Sequence, residues 1–147
     1  MLKTRIQDDM KIALKAGEKP RLGVIRLIFA AVRQREIDER IELTDDQIFG
    51  VLEKMVKQRR ESMSQYQQAG REDLAAQERF EIEICQGYLP DALSEAEVDV
   101  WIAESIAAVA ATSVKEMGRV MAILKPKLQG RADLAAVGAK VRARLAL

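Results

Sequence analysis

The sequence predicts an all-α fold, and three observations carry that prediction. Strong helix formers, namely Ala, Leu, Glu, Gln, Lys and Arg, dominate the 147 residues. Apolar residues recur at spacings of three and four, and no segment shows the alternation that is typical of strands. The three prolines and several of the eight glycines stand near the ends of these periodic segments. A chain of this length can also bury a core of its own.

Four helices are predicted in the first part of the chain. Gly17 can cap the first of them, and Pro20 suits the first turn of the second. Thr44 begins a capping box that opens the third helix. The fourth ends near Tyr88, because a residue that precedes proline avoids the helical region. The predicted helices cover residues 2–16, about 21–39, 44–69 and 72–88.

Three shorter helices are predicted after residue 93. Capping boxes at Ser94–Glu97 and Ser113–Glu116 open the first two, and Pro126 limits the second. Gly130 precedes the last helix, whose core face contains Leu134, Val137, Val141 and Leu145. We therefore expect a four-helix N-terminal domain over residues 1–90 and a three-helix C-terminal domain over residues 91–147.

The composition excludes several kinds of reaction centre. The chain has no histidine and a single cysteine, which removes the common nucleophile–base pairs, an internal disulfide and most zinc sites. We assign no catalytic residue, no metal ligand and no cofactor. The first residues are charged throughout, unlike a signal peptide, and no run is long enough for a membrane span. A cytoplasmic protein with no membrane partner is the expectation.

Four charged residues share the predicted core-facing sides of helices in the first domain. Arg26 lies beside Ile25 in the second helix, and Arg59 is in phase with the apolar residues of the third. Glu78 and Glu81 are in phase with the apolar residues of the fourth. Because unpaired buried charge is costly, these residues are expected to form structural ion pairs. A paired-carboxylate active site at the two glutamates is the alternative.

Charge is divided unevenly along the second half of the chain. Residues 117–147 contain seven Lys or Arg and one acid, whereas residues 91–116 contain six acids and one base. Such an asymmetry is typical of contact with a polyanion. Bases near the end of a helix also complement its dipole, and composition alone does not choose between the two. The candidate RNA-binding residues are Lys125, Lys127, Gly130, Arg131, Lys140 and Arg144. Gly130 is expected to lead into a helix N-terminus that favours an anion.

Motifs spread along the chain resemble those of the GatB/YqeY family, in its stand-alone YqeY-like branch. The most specific are YQQAGR at residues 66–71, YLP at 88–90 and the pair MGR and GRAD at 117–119 and 130–133. The resemblance extends over essentially the whole sequence. Gly118, Arg119 and Asp133 are motif positions, together with Gly130 and Arg131.

The resemblance implies a helical module like the tail of the GatB component of the tRNA-dependent amidotransferases. Those complexes convert Glu-tRNA(Gln) or Asp-tRNA(Asn) to the amidated forms, with glutamine as the nitrogen donor. The tail touches tRNA, whereas the chemistry takes place in domains that this chain lacks. The implied partners are tRNA and either amidotransferase subunits or a tRNA synthetase.

Three functions follow as hypotheses. The favoured one is a tRNA-binding protein that is an accessory in tRNA amidation or translation, with affinity that falls steeply with salt. The second is a carbon–nitrogen ligase activity that depends on partners and uses glutamine as amido-N-donor. The third is a helical protein–protein interaction module whose basic tail docks on an acidic surface.

Overall fold

The computed structural model describes all 147 residues, and every regular element in it is helical. The prediction of an all-α fold is confirmed. The chain forms two compact units, Met1–Leu89 and Pro90–Leu147. Whether they are independent domains stays a prediction. The first unit contains α1 (Leu2–Ala16), α2 (Lys19–Glu39), α3 (Asp45–Gln68) and α4 (Glu72–Gln86); the second contains α5 (Glu95–Val109), a 3₁₀ turn (Val114–Glu116), α6 (Met117–Leu128) and α7 (Leu134–Leu145).

The first unit consists of two helix pairs joined by short turns. Gly17 ends α1 in the left-handed conformation, with φ at 71°. Gly70 has the same φ of 71° in the turn between α3 and α4. Thr44 opens α3 with the expected box, since its side chain accepts from the Gln47 amide and the Gln47 side chain accepts from the Thr44 amide. Helix α3 packs chiefly on α4, and α1 on α2.

One apolar core holds the first unit together. Its fully buried large side chains come from α1, α2 and α3, and Cys85 and Tyr88 join them from α4 and the residues after it. Burying such side chains contributes about 1.5–3 kcal/mol each. The core members without any exposed area are Ala13, Ile25, Ile28, Val32, Ile48, Leu52 and Cys85.

Two glycines of the first unit should respond in opposite ways to the same substitution. Gly17→Ala is expected to destabilise the protein by about 1 kcal/mol, because alanine is strained at a positive φ. Gly23→Ala is expected to stabilise it by about 0.5–1 kcal/mol, because Gly23 lies inside α2 with open space around an added Cβ. Urea unfolding followed by circular dichroism measures both. Equal signs for the two variants would contradict this assignment.

The second unit has a smaller core and differs from the prediction at two helix ends. Helix α6 continues past Pro126 to Leu128, whose side chain is fully buried. Pro126 was therefore wrongly expected to limit the helix: the last turn continues and packs Leu128 into the core, although proline removes a hydrogen bond and crowds the preceding turn. The Ser113 box does not form either. The segment tightens into the 3₁₀ turn, and the Glu116 carboxylate accepts from the Thr112 amide at 2.7 Å.

None of the helices combines the length and the apolar character needed to cross a membrane.

Candidate nucleic-acid interface

The last two helices of the second unit carry positive charge without any acid. Helices α6 and α7 each contain three Lys or Arg and no Asp or Glu. Their apolar residues Val120, Leu124 and Leu128 in α6, and Val137, Val141 and Leu145 in α7, are buried in the unit's core. The bases therefore occupy the remaining sides of two packed, amphipathic helices. They are Arg119, Lys125 and Lys127 in α6, and Lys140, Arg142 and Arg144 in α7.

Lys140 is engaged by the acidic helix α5. Its ammonium nitrogen lies 3.1 Å from Asp99 Oδ1 and 3.3 Å from Glu95 Oε1. The hydrogen bond to Asp99 and the second one to Glu95 raise the pKa of Lys140. A phosphate would have to compete with two carboxylates for this side chain. Lys140 is thus the least available of the candidate RNA-binding residues.

Two further candidates make contacts within the second unit. Lys127 Nζ lies over the Trp101 ring, 4.6 Å from its centroid, in cation–π geometry. Arg131 Nε donates to the Asp91 carbonyl at 3.2 Å, and the Arg131 carbonyl accepts from the Leu93 amide at 2.9 Å. Arg131 therefore ties the segment before α5 to the turn between α6 and α7. This contact gives the arginine of the GRAD motif a structural role.

The N-terminus of α7 differs from the anion-facing turn expected there. Gly130 adopts a positive φ of 81°, and three residues separate it from Leu134, the first residue of α7. Asp133 is the N-cap, and its Oδ1 accepts from the Ala135 amide at 3.0 Å. The protein's own carboxylate thus occupies the position at which an anion was expected, so that expectation is corrected. The aspartate of the GRAD motif, Asp133, therefore caps α7.

Four Lys or Arg of α6 and α7 are exposed and form neither an ion pair nor a contact with an aromatic ring: Arg119, Lys125, Arg142 and Arg144. Lys125 and Arg144 were among the predicted RNA-binding residues, whereas Arg142 was left out of that set. Its position on the flank opposite Lys140 was the available signal. Gly118, next to Arg119, lies in the first turn of α6 with open space around an added Cβ. Guanidinium and ammonium groups of this kind contact phosphate oxygens along a nucleic-acid backbone.

The first unit contains a separate charged cluster between α3 and α4. Arg59 Nε lies 3.1 Å from Glu81 Oε2, and both side chains are mostly buried. Glu78 is half-buried nearby and is not within ion-pair distance of Arg59. Arg26 does not join this cluster, because it is exposed on α2. Its predicted place in a buried ion-pair layer is wrong, since one residue after Ile25 means a rotation of about 100° away from the core.

Glu78 gives a pH-dependent prediction. Burial and the neighbouring Glu81 raise the pKa of Glu78, and Arg59 opposes them. Since the folded protein holds this proton more tightly than the unfolded chain, ionisation of Glu78 lowers stability as pH rises through the ordinary glutamate range. We expect Glu78→Gln to stabilise the protein at pH 7 by a fraction of a kcal/mol, and to have no such effect at about pH 3.

Urea unfolding of Glu78→Gln at both pH values measures this difference. Glu61→Gln on the exposed surface of α3 is the matched control, and it should change little at either pH. A stabilisation that persists at acid pH would contradict the assignment to the Glu78 charge.

The tyrosine of the YLP motif and the single cysteine are both buried in the first unit. Tyr88 is buried, its hydroxyl donates to Asp9 Oδ2 at 2.6 Å, and the Arg5 guanidinium lies 4.9 Å from its ring centroid. Burial and the bond to Asp9 raise the pKa of Tyr88. Burial also raises the pKa of the Cys85 thiol to about 11, so the reactive thiolate is scarce at neutral pH.

Comparison with known proteins gives consistent relatives. The YqeY family, described as Yqey-like protein, matches residues 3–145. A protein of Pyrenophora tritici-repentis is 27% identical over 87% of this chain and 71% of its own length. Similar proteins of Vanderwaltozyma polyspora and Clavispora lusitaniae are 34% and 36% identical, over 57% and 60% of this chain and 46% and 51% of theirs. All three are named altered inheritance of mitochondria protein 41, mitochondrial.

These names correct one expectation and leave the activity open. The prediction of a cytoplasmic protein is overturned, because the relatives are named as mitochondrial proteins. The chain spans only about half the length of several of them. The family match, in contrast, covers nearly every residue of both units. The chain therefore belongs to the YqeY-like family.

Proposed function

We propose that this chain is a tRNA-binding helical protein that acts as an accessory in tRNA amidation or translation. The observation that carries the proposal is the pair of helices α6 and α7, which hold six bases and no acid. Four of those bases, Arg119, Lys125, Arg142 and Arg144, are exposed and have neither an ion-pair partner nor a ring contact. Release of condensed counterions by such bases supplies most of the affinity of non-specific nucleic-acid binding.

The mode of recognition we propose is contact with the backbone of a folded RNA. Aromatic residues make up only 4% of the chain, and the single tryptophan, Trp101, lies beneath Lys127. Stacking of unpaired nucleobases on aromatic rings is therefore a poor fit. Exposed lysine and arginine side chains on packed helices instead suit contact with the phosphates of a structured RNA. The rigidity of the two helices would fix the spacing of these contacts.

The choice of tRNA and of partners rests on the resemblance to the tail of the amidotransferase GatB component. Amidotransferase subunits or a tRNA synthetase are the protein partners that this role would need. The mitochondrial names of the relatives favour the translation system of mitochondria as the setting for proteins of this kind.

Charge reversal on α6 and α7 tests the proposal. We expect the wild-type chain to bind fluorescently labelled tRNA in an anisotropy titration at low salt. Lys125→Glu/Arg142→Glu/Arg144→Glu should weaken binding at least about tenfold, because three phosphate contacts become repulsions. Circular dichroism should show unchanged helix content, since all three side chains are exposed.

A matched variant separates the site from the overall charge. Lys11→Glu/Lys15→Glu/Lys54→Glu makes the same change in net charge on exposed positions of the first unit. This variant should bind tRNA almost as well as the wild type. Equal losses in the two triple variants would mean that α6 and α7 are not the binding surface, and no binding by the wild type would overturn the proposed function.

A further inference from the structure

Helix α2 carries an apolar stripe on the side opposite its buried face. Leu27 is 48% exposed and Ile37 is 63% exposed. Gly23 precedes them and Ala30 and Gln34 lie between them, and all three are exposed. These five positions follow one another at spacings of four, three, four and three, which is the heptad pattern of a helix that packs against a partner helix. We call this set the α2 outer stripe.

Gly23 and the flanking bases define what could cover the α2 outer stripe. An added Cβ at Gly23 would meet nothing within 4 Å, so packing within the chain does not require glycine there. Glycine inside a helix is less favourable than alanine, but it lets a second backbone approach closely. One flank carries Lys19, Arg26 and Arg33, all exposed and seven residues apart. Arg33 pairs with Glu36, whereas Lys19 and Arg26 have no ion pair.

Helix α5 carries a complementary stripe. Ala96, Val100, Ala103 and Ala107 are exposed at spacings of four, three and four, opposite the buried Val98, Ile102 and Ser105, and Val100 is 56% exposed. We call these four residues the α5 outer stripe. Glu97 and Glu104 flank it, exposed and also seven residues apart. Helix α5 contains no Lys or Arg at all.

We infer that the α2 outer stripe binds the α5 outer stripe of a second copy of this chain, with the two helices parallel. In a parallel pair of helices, the residue just before an interface position of one helix faces the residue just after the next interface position of the other helix. This register places Lys19 opposite Glu97 and Arg26 opposite Glu104. The layers between the two helices are then Gly23 with Ala96, Leu27 with Val100, Ala30 with Ala103 and the polar Gln34 with Ala107.

Pairing of α2 with α2 of another copy fits less well. In a parallel pair Ala31 would face Arg26, and in an antiparallel pair the two basic flanks would meet. Neither arrangement gives Arg26 an acid. The α2–α5 contact joins two different surfaces, one from each copy, so it is a heterologous contact.

Sedimentation velocity of the full chain over a concentration series tests the contact. We expect self-association that weakens with added salt. Leu27→Glu, Arg26→Glu and Glu104→Lys should each raise the dissociation constant of self-association at least about tenfold. Arg26→Glu/Glu104→Lys in one chain restores opposite charges across the contact and should recover most of the loss. Lys11→Glu, elsewhere on the exposed surface, is the charge control and should associate like the wild type.

Each alternative result has a defined meaning. A wild-type chain that stays monomeric up to about 1 mM, where even a millimolar dissociation constant gives appreciable dimer, overturns the inference. Association that is lost in Leu27→Glu but unchanged in Glu104→Lys overturns α5 as the occupant. In the proposed function, tRNA contacts α6 and α7, so its binding should persist in all of these variants. Lys125→Glu/Arg142→Glu/Arg144→Glu tests that function separately.

Discussion

Replacing Glu36 with alanine is expected to lower the free energy of unfolding by about 3 kcal/mol. The Glu36 side chain is 5% exposed and accepts from Lys3 Nζ at 2.9 and 3.0 Å. It also accepts from the Leu43 amide at 3.0 Å and from Arg33 at 3.3 Å. Alanine leaves the mostly buried Lys3 ammonium without its main acceptor. It also removes the carboxylate oxygen to which the buried Leu43 amide donates.

The same variant should reveal its mechanism through pH. The hydrogen bonds from Lys3 and Leu43 lower the pKa of Glu36. The stabilisation by the Glu36 charge is therefore complete above the ordinary glutamate pKa and is lost as pH falls through the lower folded-state value. Urea unfolding should show a large difference between wild type and Glu36→Ala at pH 7, and a smaller one at about pH 2.

A neighbouring glutamate provides the control. Glu39 is exposed on α2 and pairs only with Arg35, so Glu39→Ala should change stability by less than about 1 kcal/mol. Equal effects at positions 36 and 39, or a Glu36→Ala difference that does not shrink in acid, would contradict the role of the buried carboxylate.

Leu128→Ala is expected to destabilise the second unit by about 3 kcal/mol. Leu128 is fully buried in the last turn of α6, and the core that it belongs to has only eight buried apolar residues. A cavity in so small a core has few neighbours that can move to fill it. Trp101, the single tryptophan, lies in the second unit, so its fluorescence in a urea titration follows that unit specifically.

The effect of Leu128→Ala should extend to RNA binding. Loss of the packed arrangement of α6 and α7 disperses their exposed bases, so tRNA affinity should fall at urea concentrations that leave the wild type folded. Leu147→Ala removes a leucine that is fully exposed, and it is the matched control with no expected effect. A stable, tRNA-binding Leu128→Ala protein would mean that Leu128 does not hold α6 in place.

Helix periodicity and turn chemistry predicted most of the fold. The Thr44 box and the Gly17 end of α1 formed as expected, because local hydrogen bonds and a positive φ decide them. The expectations for Pro126 and Ser113 are wrong for different reasons: Leu128 packs in the core of the second unit, and the local bond from the Thr112 amide to Glu116 accompanies the 3₁₀ turn. Capping and proline rules do not say which of these competing contributions to the free energy of folding is larger.

The buried charges were predictable only in part. Glu36 follows Ile25, Ile28 and Val32 at spacings of three, four and four, so its burial was visible in the sequence but was missed. Its partner Lys3 lies 33 positions away and could not be inferred from spacing. For the same reason, the sequence did not reveal that Lys140 pairs with α5 or that Arg131 bonds to Asp91.

The salt dependence of tRNA binding tests the central proposal most directly. Because four exposed Lys or Arg on α6 and α7 have neither an ion pair nor a ring contact, log Kobs for the wild type should fall with log salt at a slope of about −3 or steeper. Lys125→Gln/Arg142→Gln/Arg144→Gln should make the slope shallower by about 2 to 3, whereas Lys11→Gln/Lys15→Gln/Lys54→Gln should leave it unchanged. A slope near zero for the wild type, or the same slope in all three proteins, would contradict tRNA binding through these helices.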